Sequence, residues 1–77
     1  MILWFKNADG DERQIAYCET IKDVHRSIDD FIAQANAATA DTKAPFKKYY
    51  TRIWVEDDRT WYDVGSWSEF FFTTENE

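Results

Sequence analysis

Reactive side chains are few in this chain, and they do not cluster. His25, Cys18 and Ser27 form the one combination that suggests nucleophilic chemistry. A nucleophile needs a base within hydrogen-bond reach and a further group to orient that base. Ser27 lies two positions from His25 and points elsewhere on a helix, so the pattern argues against a hydrolase. Cys18 and His25 are seven positions apart, and no pair of Cys or His has the spacing of metal ligands. His25 reads as a solvated helix residue. The carboxylate pairs Asp29-Asp30 and Asp57-Asp58 read as solvated groups on a helix face and in a turn. Gly10 and Gly65, the two glycines, build no phosphate-binding loop. The expectation is a protein without catalytic residues, metal or cofactor.

The chemistry that remains is aromatic. Four Trp, four Tyr and six Phe make 18% of the 77 residues. Two β-rich runs, Tyr49–Val55 and Thr60–Val64, flank Glu56-Asp57-Asp58-Arg59, a strand–turn–strand signal. Closing the turn on Asp57-Asp58 sets Glu56 against Arg59, Val55 against Thr60, Trp54 against Trp61, Ile53 against Tyr62 and Arg52 against Asp63. A slip of one residue opposes Ile53 to Asp63 and loses both charge pairs, so side-chain chemistry favours this register. The turn lacks the usual glycine, and a two-residue turn or a four-residue loop built on a type I turn gives the same pairing. One face carries Thr51, Ile53, Val55, Thr60, Tyr62 and Val64, and is expected under a helix. The other carries the Trp54/Trp61 pair between two ion pairs, and is expected to be partly wet.

The remaining elements follow in order. Met1–Lys6 alternates as a strand, Asn7-Ala8-Asp9-Gly10 is a turn, and Glu12–Cys18 is a second strand. A bulged three-residue loop pairs Lys6 with Glu12, Phe5 with Arg13 and Leu3 with Ile15. Met1, Leu3, Phe5, Ile15 and Tyr17 then share one face, and Ile2, Trp4, Lys6, Glu12, Gln14, Ala16 and Cys18 the other. Thr20 and Asp23 spell a variant capping box. From Ile21 the period turns helical, with Ile21, Val24, Ile28, Phe31, Ile32 and Ala35 on one stripe, ending near Ala38. His25–Asp29 and Arg26–Asp30 have i,i+4 spacing. Thr39–Phe46 is a loop closed by Pro45. Gly65-Ser66 marks a bend, and Ser66 with Glu69 spells a second capping box. A fifth strand over Trp67–Thr73 is preferred to a helical turn there, because Phe70-Phe71-Phe72-Thr73 is β-prone. Residues 74–77 are expected to fray. The fold class is therefore α+β, a single domain of ββαββ(β) order with four to five antiparallel strands and one helix on one face.

Fifteen Asp and Glu against nine Lys and Arg give a formal net charge of −6. That disfavours phosphate backbones, which need a basic footprint. A lone cysteine forms no internal disulfide and fits a reducing cytosol. No apolar stretch reads as a signal peptide or a membrane span.

Arg52-Ile53-Trp54 with Thr60-Trp61-Tyr62-Asp63-Val64-Gly65-Ser66-Trp67-Ser68-Glu69-Phe70-Phe71 resembles the C-terminal half of small uncharacterised proteins of phages and prophages of Gram-positive bacteria. The resemblance covers about a third of the chain and brings no catalytic residues. It implies an intracellular accessory protein of the bacterial host's cytoplasm, made to bind a host or phage protein.

Together these readings point to a non-enzymatic protein-binding module. Its binding residues are expected to be Trp4, Trp54 and Trp61, rimmed by Arg52, Asp63, Glu56 and Arg59. The partner is another protein or, through the same face, a second copy of the chain. Two alternatives stand beside it. An acidic mimic of nucleic acid would use the carboxylates of the two hairpin tips, Asp9, Asp11 and Glu12 with Glu56, Asp57 and Asp58, to occupy a basic groove. A single-stranded nucleic-acid binder would stack bases on the three tryptophans but lacks a Lys/Arg track.

Overall fold

A computed structural model describes residues 1–38, 48–65 and 68–75. It contains β1 (Ile2–Lys6), β2 (Glu12–Tyr17), α1 (Ile21–Ala38), β3 (Arg52–Glu56), β4 (Arg59–Asp63) and β5 (Phe70–Thr74). The strands form one antiparallel sheet in the order β2-β1-β5-β4-β3. The last strand in sequence is thus the central one. The expected α+β class is the architecture found, with five strands and one helix among the described residues. The expectations for Thr39–Phe46, the Ser66 capping box and Trp67 fall outside the described residues. Thr74 ends β5, and its hydroxyl accepts a hydrogen bond from Trp4 Nε1 at 3.1 Å.

The second hairpin has the register that the cross-strand chemistry favours, from Arg52 with Asp63 to Glu56 with Arg59. Its turn is the two-residue kind, with Asp57 and Asp58 both at positive φ (56° and 62°). Short acidic side chains tolerate this left-handed conformation better than most.

The first hairpin departs from expectation. Lys6 and Phe5 face Glu12 and Arg13, but Leu3 faces Ala16, leaving Ile15 as the extra residue of a bulge. A one-residue insertion reverses the facing of everything beyond it. Ile15 and Ala16 therefore both pack on the core, Cys18 turns inward, and Tyr17 turns out to 62% exposure.

The helix begins as a capping box. Asp23 N–H donates to Thr20 Oγ1, and Asp23 Oδ2 accepts from the N–H groups of Thr20 and Glu19. These bonds, that from Glu19 foremost, hold the Asp23 carboxyl below its ordinary value. Val24, Ile28 and Ile32 are buried against Leu3, Tyr62, Val64 and Phe71. Phe31 fills the end of this layer against Phe5 and Phe71, with centroids 4.6 and 5.6 Å away. Ile21, on the same stripe, stays half exposed. The expected i,i+4 ion pairs give way to others. Arg26 pairs with Asp23 at 2.6 Å, and Lys48 reaches Asp29 at 3.0 Å. His25 is not a solvated residue; half-buried, its ring stands edge-on to Tyr62 at 5.8 Å.

The covered face is also narrower than expected. Buried core side chains come from β1, β5 and β4, whereas Ile53 and Val55 of β3 are 50% and 74% exposed. A helix about 10 Å across spans about three strands spaced 4.8 Å apart, so an edge strand lies beyond its reach.

Candidate functional site

The face away from the helix is organised by one cross-strand row. Trp4 of β1 pairs with Phe72 of β5, Phe72 with Trp61 of β4, and Trp61 with Trp54 of β3. Directly opposed residues share a face, so four aromatic rings run across the sheet. Trp4 and Phe72 stack at 5.9 Å, Phe72 and Trp61 meet at 4.8 Å, and Trp61 and Trp54 stack at 6.3 Å. Phe70 stands nearly perpendicular to both Trp54 and Trp61, 6.4 Å from each.

Cations lie over this row. Arg59 sits 4.4 Å from the Phe72 ring, Lys6 5.5 Å from Trp61 and Arg52 5.9 Å from Trp54. Such contacts are electrostatic attraction to the negative ring face. The indole N–H groups are engaged within the chain. Trp4 donates to Thr74, Trp54 to the Glu56 carboxylate and Trp61 to the Glu56 carbonyl, the last two at 3.3 Å. What the row presents to a ligand is therefore ring surface and not hydrogen-bond donors.

Arg59 also bridges to Glu12 at 3.1 Å. In a flat sheet their Cα atoms, three strands and four residues apart by register, would be separated by about 20 Å. The two side chains cannot span that distance, so the twisted sheet curls these diagonal corners together on the helix-free side. The resulting strap lies across Phe72, which is 1% exposed although α1 lies on the other face. Beside the strap, Trp54, Trp61, Phe70, Lys6, Glu56 and Asp57 line an open groove of about 290 Å³.

The residues singled out from sequence come together on this face. Trp4, Trp54 and Trp61 share the row, and all three are half-buried. Arg52 pairs with Asp63 at 2.9 Å, and Asp63, buried, also accepts the Gly65 N–H at 2.9 Å. Glu56 and Arg59 face each other in the ladder, but the ion pair of Arg59 is with Glu12. Sequence reasoning missed Phe72, Phe70 and Lys6. Their side is set by alternation, but their neighbours are set by strand order, which no local pattern encodes.

The reactive groups lie on the covered side. Cys18 Sγ is 3.7 Å from Ser27 Oγ, and the buried Tyr62 hydroxyl has no hydrogen-bond partner among the described residues. Burial pushes the Tyr62 phenol up; the Thr73 hydroxyl works against this without reaching hydrogen-bond geometry. Among the described residues no three His, Cys, Asp or Glu gather as metal ligands, and no helix is long and apolar enough to cross a membrane. No protein-family model, curated protein or solved structure matches the chain.

Proposed function

We propose that this is a non-enzymatic accessory protein of the cytoplasm that binds another protein through the helix-free face of its sheet. The partner segment is basic, and an arginine or lysine side chain of it enters the groove between Trp54, Trp61 and Phe70. The observation that carries this reading is the groove itself: ring faces with engaged indole N–H groups, bordered by Glu56 and Asp57. Cations already resting on these rings support the same chemistry. Aromatic residues are enriched at interface centres, and a polar rim surrounds them.

The test is a titration of the folded protein with an arginine-rich peptide, an acidic peptide and a single-stranded oligonucleotide, read by tryptophan fluorescence and indole N–H resonances. Binding of the basic peptide alone, shifting Trp54 and Trp61 and lost in a folded Trp54→Ala/Trp61→Ala variant, is the expected outcome. Absence of any shift overturns the proposal. Saturable binding of the oligonucleotide instead favours a base-stacking role. Competition with DNA for a basic protein, weakening steeply with salt, favours the mimic.

A further inference from the structure

The two edges of the sheet are built differently. β2 carries the Ile15 bulge and begins with Glu12 and Arg13, devices that discourage pairing with another strand. β3 has no bulge: it is regular along its ladder to β4, its charged residues Arg52 and Glu56 stand at its two ends with opposite sign, and no described strand pairs with its outer edge. Its sequence is Arg52-Ile53-Trp54-Val55-Glu56.

We propose that β3 pairs antiparallel with β3 of a second copy of the chain, about a two-fold axis at Trp54. In this register Arg52 faces the partner's Glu56, Ile53 faces the partner's Val55, and Trp54 faces the partner's Trp54. Both charge pairs are opposite in sign, and the apolar residues left outside the helix's cover meet each other. The backbone agrees. In a hairpin with a two-residue turn, the flanking pair Glu56/Arg59 is hydrogen-bonded and the pairs alternate from there. The inward-bonding residues are then Arg52, Trp54 and Glu56, and the outward N–H and C=O groups belong to Ile53 and Val55. The two-fold register requires this arrangement: Ile53 and Val55 form the hydrogen-bonded pairs, and Trp54 meets its copy at the closer, non-bonded position. Moving the axis to Ile53 or Val55 sets Trp54 against Arg52 or Glu56. The dimer would join two aromatic rows into one and set Trp54 and Glu56, which also line the groove, at the junction.

Sedimentation over a concentration series tests the pairing. Wild type is expected to pass from monomer to dimer. Arg52→Glu and Glu56→Arg each place like charges at both ends of the junction, and each is expected to stay monomeric where wild type is dimeric. Mixing these two variants restores opposite pairs and is expected to restore a dimer. Val55→Pro deletes an outward N–H without touching the ladder to β4, and is also expected to be monomeric while still binding the arginine-rich peptide. Circular dichroism verifies that each variant folds. A wild type that stays monomeric to millimolar concentration overturns the proposal. So does a dimer that survives Val55→Pro, or a mixture of the charge variants that fails to associate.

Discussion

The two faces of the sheet solve the same problem by different means. On one, Leu3, Tyr62, Val64 and Phe71 reach zero exposure because a helix lies on them. On the other, Phe72 reaches 1% beneath neighbouring indoles and an arginine strap. The covered face leaves the Tyr62 phenol hydroxyl without a partner among the described residues; the open face engages its indole N–H groups and keeps its indole rings half accessible. Aliphatic side chains need a roof to leave water, whereas large rings and the long stems of Arg and Lys can shelter one another. With one helix among the described residues lying on one side of the sheet, the other side draws its shelter from its own rings and stems.

Breaking the comparison begins with the two phenylalanines. Phe71→Ala on the covered face and Phe72→Ala on the open face should each cost about 3–5 kcal/mol. Urea unfolding measures both, and a loss at Phe72 of less than half that at Phe71 would mean that the strap does not shelter it. Arg59→Ala should cost about 1 kcal/mol, through its ring contact more than its half-exposed ion pair, and should raise the exposure of Phe72. Quenching of tryptophan emission by acrylamide should increase in the same variant. Tyr62→Phe sharpens the contrast from the other side: it removes a buried hydroxyl that has no partner among the described residues, and stability should hold or rise by about 1 kcal/mol. The smallest effect belongs to the helix start. Asp23 has its carboxyl held below the ordinary value of 3.8, chiefly by the Glu19 N–H. Its contribution is present above that value and fades as pH falls through and below it. Asp23→Asn should remove that part of the acid dependence of helix circular dichroism and leave the rest unchanged.

Much of this was legible in local pattern. Val24, Ile28 and Ile32 at helical spacing announce their buried side, and Thr20 with Asp23 announces the helix start. The Trp54–Trp61 pairing follows from opposite charges at matching offsets. The Ile15 bulge was not legible, because alternation alone does not say where a strand takes an extra residue. The uncovered Ile53 and Val55 were misread for a related reason: facing is a local property, but reach depends on where the strand lies in the sheet.

By itself, the sequence determined the elements, the facing of most side chains and the register of the second hairpin, since these arise from neighbours a few residues apart. Tertiary structure alone decided that β5 enters between β1 and β4. That insertion sets Phe72 between Trp4 and Trp61, and the curl of the sheet closes Arg59 onto Glu12. Strand order is settled by the total burial of competing arrangements, a quantity that no short segment carries.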